Sequence, residues 1–373
     1  MWCGKEATAG PRGLKDRVLA AGLCTACGMC VGLCPYIREK AEHVAFVAEC
    51  SREEGRCYKV CPQTEADLAS LRLPLADAPH QDPLLGPHRG VCISRSPRAA
   101  VRRKGQYGAT VTALLCHALE SGRIDAALLT AWPKQGRSLL PEPLVATTQQ
   151  EILAAAGSKY TAAPSLKLLN LPLPGVDRLA VVGRPCQILA VRKRRLLPDP
   201  TFPAEKIVLL IGLFCMWALS YRDLETYLEP HLALGKIRKM DIPKGRCRID
   251  CGSRRIELPH DEIRGMSRAA CSTCMDFTAE LADLSVGSTE WKAGWNTLIV
   301  RSAAGSELVE SACDNGWLET RPMKEERVGI LREASRTKKS RALGLREQTA
   351  RIQKGPPGRE ILEERERAAR RND

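Results

Sequence analysis

The sequence predicts a mixed α+β / α/β chain in three parts: a cysteine-rich N-terminal segment, an α/β core and a helical C-terminal tail. Three observations carry this. Cysteines crowd residues 1–73, with "CTACGMCVGLCP" at Cys24–Pro35 and "CSREEGRCYKVCP" at Cys50–Pro62. Short apolar runs alternate with helix-like segments over 91–320, the pattern of strands laid against helices. Over 321–373, the last part of the 373-residue chain, Arg, Lys and Glu dominate.

The elements follow in order. Residues 74–90, "PLADAPHQDPLLGPHRG", carry Pro, Gly, His and Asp without apolar periodicity and read as a linker. In "GATVTALLCHALESG" the residues Val111, Leu114, Leu115, Ala118 and Leu119 share one helical face, and Gly122 ends the pattern. "IDAALLTAW" follows as a strand. "DRLAVVG" and "EKIVLLIGLFC" read as short buried strands, and "PCQILAVRKRR" between them as a helix. In the tail, "KGPPGRE" separates two helices, either a solvated pair or a docking surface.

Composition narrows the function classes. A formal charge of +14 favours anionic partners: nucleic acid, phosphate-bearing cofactors or an acidic protein surface. Nucleic acid is set aside, because aromatic residues do not interleave with the basic runs and no stacking platform results. The start, "MWCGKEATAGPRG", has no apolar core region. The longest apolar stretch, Ile207–Leu219, falls short of the roughly 18–20 residues of a spanning helix. No membrane span and a reducing, cytoplasmic location are expected. There the 17 cysteines serve as metal ligands or redox groups rather than disulfides. No G-x-G-x-x-G or Walker run appears, and with 6 histidines no hydrolytic constellation stands out.

The first cysteine run carries the sharpest chemistry. Soft thiolates suit iron, and C-x-x-C-x-x-C aims three of them at one cubane. A further cysteine three residues on, followed by proline, is the bacterial ferredoxin arrangement, in which that cysteine serves the other cluster. Zinc sites instead separate two C-x-x-C knuckles by a spacer. The segment therefore reads as a bacterial ferredoxin-like iron–sulfur domain. Cys24, Cys27, Cys30 and Cys61 hold one [4Fe–4S] cluster. Cys34, Cys50 and Cys57 hold a second, one thiolate short, because Ser51 and Glu54 stand where the ordinary spacing expects cysteines. An oxygen or histidine ligand, Cys3 or Cys92 would complete it, and one or two N-terminal clusters stay open. Gly28 and Gly32 let backbone N–H groups approach the sulfurs.

In the core, "CSTC" (Cys271–Cys274) alone fits zinc, a redox pair or a cluster. Cys186 in "VVGRPCQ" and Cys215 in "IGLFC" stand just past strands, where ligand sites of α/β sheets lie. Spacing leaves two readings for these two: ligands that converge with Cys271 and Cys274, or buried small hydrophobes. Cys116, Cys247, Cys251 and Cys313 read as structural.

Five stretches in order, "GQYGATVTALLCHALESGRIDAAL", "GSKYTAAP", "VVGRPCQILAVRK", "IGLFC" and "CSTCMDFTAELADLSVG", together resemble the beta-subunit family of coenzyme F420 hydrogenases and dehydrogenases over about 91–320. The N-terminal segment ending "GRCYKVCP" is similar to longer members. The resemblance implies an α/β flavin-binding core with bound FAD. It implies a [4Fe–4S] cluster on Cys186, Cys215, Cys271 and Cys274, and so two or three clusters in all. Gln106, Gly108, Thr110 and Thr112, with Ser158, Lys159 and Tyr160, would lie at the flavin. There a helix start offers N–H groups to a pyrophosphate, and Lys159 would neutralise phosphate or an anionic reduced flavin. Glu280 and Asp283 would fix the loop beside the cluster. The implied activity is an oxidoreductase that passes electrons between a hydride carrier, coenzyme F420, at FAD and the clusters, and on to a redox partner protein. NAD(P)H or another organic substrate, or a non-catalytic electron-transfer subunit, are the alternatives. No catalytic residue is assigned. Two positions depart from the family pattern. Ala109 replaces a second glycine, and Arg184 replaces threonine, which puts a cation beside the cluster or flavin.

Overall fold

The computed structural model describes residues 9–354 except 134–137, 200, 201, 203, 235, 236, 244 and 253, with side chains to residue 344. The N-terminal segment starts with α1 (Pro11–Leu14), continued by a π-helical turn over Lys15–Leu19. Strands β1 (Ile37–Lys40) and β2 (His43–Phe46) form an antiparallel hairpin. Two short helices follow, α2 (Arg56–Lys59) and α3 (Leu68–Arg72). The Asp67 carboxylate caps α3 by accepting from the N–H groups of Ala69 and Ser70.

Next come the hairpin β3 (His80–Asp82) and β4 (Gly86–His88), then β5 (Gly90–Arg95), α4 (Ala99–Lys104), α5 (Thr110–Glu120), β6 (Ala126–Ala131), β7 (Glu142–Ala146) and α6 (Gln149–Ala154). The chain continues through β8 (Leu179–Gly183), α7 (Pro185–Arg195), β9 (Ile207–Leu213) and α8 (Tyr221–Leu228). A separate three-stranded sheet holds β10 (Lys239–Asp241), β11 (Arg246–Asp250) and β12 (Arg255–Pro259). The last elements are α9 (His260–Gly265), β13 (Leu284–Ser288), β14 (Asn296–Val300), α10 (Ala303–Asp314), β15 (Glu319–Pro322) and α11 (Glu325–Lys354).

The main sheet has eight strands in the order β15-β5-β14-β13-β9-β8-β6-β7. Its centre, β13-β9-β8-β6, is parallel, and the strands on either flank are antiparallel. The central strands are unbroken apolar runs because both faces are covered. Leu179, Val181 and Leu210 face one core, with Ile188 and Val191 of α7. Ala180, Leu209 and Ile211 face the other, with Leu114 of α5 and Leu308 of α10. The strands expected within 124–132, 177–183 and 205–215 are present as β6, β8 and β9, and the helices expected within 108–122 and 185–195 as α5 and α7.

The cysteine-rich segment shares the first of these cores. Val18, Met29, Ile37, Tyr58 and Leu71 pack in one cluster with Leu166, Leu169, Val181 and Ile188. Residues 74–90, read as a linker, carry a built hairpin. Asp82 Oδ1 accepts from the N–H groups of Leu84 and Leu85 at 2.8 and 3.0 Å. The fully buried Arg301 donates to the Leu85 and Pro87 carbonyls, both at 2.8 Å. The polar composition reflected a tight turn held by a buried cation. In the tail a single described helix, α11, reaches Lys354, and the second expected helix lies outside the described residues. The face of α11 that is buried mixes apolar and polar residues: Val328 and Ala342 with Ser335 and Lys338, the last two both under 2 % exposed. The sequence, read for apolar periodicity, left a solvated pair and a docking surface both open. Among the described residues no helix is long and apolar enough to cross a membrane.

Candidate redox centres

The structure brings candidate cysteines within each other's electrostatic reach at three places. At the carboxyl end of β8 the chain turns through Arg184 and Pro185, and α7 begins with Cys186 in its first turn. Just past β9 stands Cys215, whose N–H donates to the Phe277 carbonyl at 2.9 Å, joining it to the loop that carries Cys271 and Cys274. The Cys271 thiol accepts from the Ala218 N–H at 3.2 Å. Burial pushes the Cys215 thiol up to about 12, with repulsion from Cys271 and Cys186 adding to it. Cys274 is also raised by burial and feels Cys186. Buried thiols that hold their protons, already assembled, are a ligand set that exchanges protons for a soft metal centre.

Cys24, Cys27, Cys30 and Cys61 line a cavity of about 20 Å³ walled by Leu14, Val18, Met29 and Val44. Burial raises Cys27 and Cys30 and pushes Cys61 up to about 12. Gly28 sits at φ +88°, and a Cβ there would run into the Pro164 carbonyl. Glycine is needed where this turn meets the core, a contact the sequence did not reveal. Cys34 and Cys50 both act on the Cys57 thiol, which burial pushes up to about 11. Of the suggested completing ligands, Cys92 lies on β5 beside Cys313, and Cys3 is outside the described residues. At the shortfall positions, Glu54 pairs with Lys59 at the surface. Among the described residues no three His, Cys, Asp or Glu side chains come close enough to hold a single ion. Cys186 acts on both Cys24 and Cys27, so the core set adjoins the first N-terminal set.

Beyond the carboxyl ends of β6, β8, β9 and β13 lies a cleft of about 720 Å³, where α/β sheets take their ligands. Gln106, Thr110, Thr112, Ser158, Lys159 and Tyr160 all line it, and so do Arg184 and Cys215 of the thiol site. Gly108 is not among its lining residues. A Cβ there would lie 2.6 Å from the Ser94 carbonyl oxygen and 2.9 Å from Asn296 Oδ1, so the glycine lets the loop pack against β5 and β14. Ala109 takes φ +57°, and α5 starts directly after it at the cleft. Thr110 is committed to the wall: its N–H donates to Asn296 Oδ1 at 3.2 Å and its hydroxyl pairs with Ser94 Oγ at 2.8 Å. Lys159 is also committed. Its ammonium donates to the carbonyls of Ala155, Ala156 and Gly157 at the end of α6, and burial pulls it down to about 8. Two lining groups keep a buried polar atom without a partner: Arg184 Nη2 and Gln106 Oε1. Such atoms are rare in a folded interior and fit a polar ligand. The cleft's size and donor set suit a dinucleotide flavin, and the thiol sets suit [4Fe–4S] clusters.

Residues 92–170 match the family model described as "Coenzyme F420 hydrogenase/dehydrogenase, beta subunit N-term", and residues 176–326 match the corresponding C-terminus model. The chain belongs to the coenzyme F420 hydrogenase/dehydrogenase beta-subunit family. It is 36 % identical to the coenzyme F420 hydrogenase subunit beta of Methanothermobacter thermautotrophicus, over 69 % of this chain and 94 % of that one. It is 29 % identical to the coenzyme F420-dependent sulfite reductase of Methanocaldococcus jannaschii, over 79 % of this chain and 46 % of that protein. Its fold is similar to a chain of the F420-reducing [NiFe] hydrogenase complex from Methanosarcina barkeri, at TM-score 0.67 and 31 % identity, covering 72 % of this chain and 94 % of that one.

Within this F420 hydrogenase/dehydrogenase beta-subunit fold, Lys193, Arg268 and Lys338, which the sequence did not single out, stand at the thiol sets beside Arg184. Lys193 Nζ donates to the Cys61 carbonyl at 2.6 Å, and Arg268 Nη2 to the Cys24 carbonyl at 3.0 Å. Lys338 donates to the Cys215 carbonyl. Burial works against the Lys338 ammonium, but Cys274, Cys215 and Asp276 more than offset it and the net shift is upward. Arg184 acts on Cys186, Cys215, Cys271 and Cys27. Read in sequence, Lys193 was one charge in the run "RKRR", and nothing in the run says which member turns inward. Glu280 and Asp283 brace their loop: Glu280 pairs with Arg72 at 3.0 Å and with Lys339, and Asp283 Oδ2 accepts from the Leu210 N–H at 2.7 Å.

Proposed function

We propose that this chain binds FAD in the 720 Å³ cleft and [4Fe–4S] clusters on its three cysteine sets. It exchanges hydride with coenzyme F420 at the flavin and passes single electrons to a redox partner protein. The observation that carries this reading is that Arg184 and Cys215 belong at once to the cleft wall and to the core thiol site. A flavin in the cleft and a cluster on the four thiols are then immediate neighbours. Bound FAD supplies the conversion between a two-electron hydride and single electrons that neither the carrier nor a cluster performs alone.

The chain's own residues hold and bias that conversion. Gln106 and Arg184 offer unpartnered polar atoms to the flavin. Arg184 is held in place because its N–H donates to Gln187 Oε1 at 2.9 Å while Gln187 donates to Ser165. Its guanidinium favours negative charge arriving on either side. The formal charge of +14 draws an anionic carrier toward the cleft. The relatives' names differ in what completes the reaction, a hydrogenase or a sulfite reductase, so the partner sets the terminal chemistry.

The test is an anaerobic visible spectrum of the reconstituted chain before and after reduced coenzyme F420. Bleaching of both flavin and cluster bands is expected. Bleaching with NADH or NADPH alone would replace the donor, and no bleaching with any hydride carrier would leave a subunit that only relays electrons.

A further inference from the structure

We propose that Lys338 of α11 is a positioning residue for the core redox centre, clamping the two ligand-bearing segments and raising the reduction potential of the cluster they hold. The proposal rests on the cluster assignment above, and it concerns a helix that lies beyond the family match ending at residue 326.

The geometry is specific. Lys338 is 1 % exposed, unusual for a lysine on a helix of otherwise charged and polar sequence. Its ammonium donates to the carbonyl of Cys215 and, at 2.8 Å, to that of Asp276. Cys215 follows β9, and Asp276 lies two residues past Cys274, whose thiol is 3.6 Å from the same Asp276 carbonyl. One side chain thus ties together the segments that bring two of the four ligands. Its neighbour Lys339 pairs with Glu280, whereas Lys338 makes no carboxylate ion pair among the described residues.

A buried ammonium needs a counter-charge as well as acceptors. Two neutral carbonyls satisfy hydrogen bonds but carry no net charge. Negative charge comes from the Asp276 carboxylate and from the thiolate-ligated centre, since Cys274, Cys215 and Cys271 act on the same ammonium. Reduction of that centre adds one electron, with no bond made or broken and no proton moved, and makes it one unit more negative. A fixed cation bonded to both ligand-bearing segments in a partly dry site favours that change by about tenfold or more in the equilibrium constant.

The rest of the helix holds Lys338 in place. Arg332 pairs with Asp82 at 2.7 Å, and Ser335 Oγ donates to the Leu84 carbonyl at 2.5 Å. Arg341 reaches the Met216 carbonyl at 3.4 Å. The helix is therefore seated on the β3–β4 hairpin and on the loop that follows β9, and Lys338 is delivered to one place.

The experiment is a potentiometric titration of the full reconstituted chain, followed by electron paramagnetic resonance, with iron content measured alongside. Iron missing from the wild-type chain would fail the cluster assignment itself, before any variant is compared. With wild type loaded, Lys338→Met should keep its iron and lower the core potential by about tenfold in equilibrium constant, 59 mV for a one-electron couple. Lys338→Arg should restore most of the shift. Lys339→Gln, which loosens the helix without touching a ligand carbonyl, should leave the potential unmoved. An unchanged potential in loaded Lys338→Met overturns the proposal, and so does an equal shift in Lys339→Gln. Should Lys338→Met lose the cluster, Lys338→Gln decides, since it keeps an N–H for the carbonyls. A loaded centre at lowered potential supports the proposal, and an empty or unshifted one overturns it.

Discussion

The core set, Cys186, Cys215, Cys271 and Cys274, reaches its site from two strand ends and a distant loop, while Cys34, Cys50 and Cys57 come from one short stretch around the β1–β2 hairpin and α2. The first set touches a large cleft and is ringed by Arg184 and Lys338. The second has Arg38 at 3.4 Å from the Cys34 carbonyl, on an exposed side chain. The contrast teaches that the sheet builds the inner site and a local turn builds the outer one. The inner site is assembled from strand ends distant in sequence, and the outer one from a single stretch seated on the same core.

The strongest break in this comparison is a ligand deletion in each set. Cys215→Ala should abolish reduction of every cluster by reduced coenzyme F420 while the flavin still bleaches. Cys57→Ser should cost only about one cluster's worth of iron, roughly four atoms, and leave flavin-to-core transfer at the wild-type rate. Stopped-flow spectra with iron analysis read both. Equal effects of the two would erase the distinction between inner and outer.

A second prediction concerns acid. His88, on the hairpin that seats α11, is 5 % exposed with neither ring nitrogen partnered. Burial first, then Arg301 and His80, pull it from 6.5 to about 4. Between those values the unfolded chain holds a proton that the folded chain lacks. Stability from this group is therefore complete above pH 6.5 and is lost as pH falls toward 4, by at most about 3 kcal/mol. His88→Phe should flatten that acid limb in denaturant titrations, and an unchanged slope would remove His88 as its source. The smallest effect is on encounter. Raising ionic strength from 0.01 to about 0.15 M shortens the Debye length from about 30 to 8 Å, so the Michaelis constant for coenzyme F420 should rise by a few-fold while the maximal rate holds.

The run from Cys24 to Cys34 was legible as a candidate ligand set because a turn needs thiols at fixed local spacing, and the central strands because burial on both faces makes them continuous apolar runs. The three-stranded sheet was missed. Its strands alternate, with Cys247 and Ile249 buried between exposed Arg246 and Arg248, a period that was available but short and charged. Lys159 and Gly108 were noticed for their chemistry, yet their places are set by neighbours distant in sequence: the end of α6 for one, Ser94 and Asn296 for the other. Arg184 was noticed as a departure, but the buried lysines Lys193 and Lys338 could not be read, because a lysine that turns inward to a carbonyl looks in sequence like any member of a charge run.

The apolar core that runs from Val18 and Met29 to Val181 and Ile188 has one more consequence. The cysteine sets and the cleft are mounted on a single solid, and their spacing is built in rather than reached by swinging one part onto another. On the proposed reading, electrons inside the molecule then cross gaps of constant width. The tempo of the whole device is left to its two doors, where a carrier must arrive and leave at one end and a partner must land at the other.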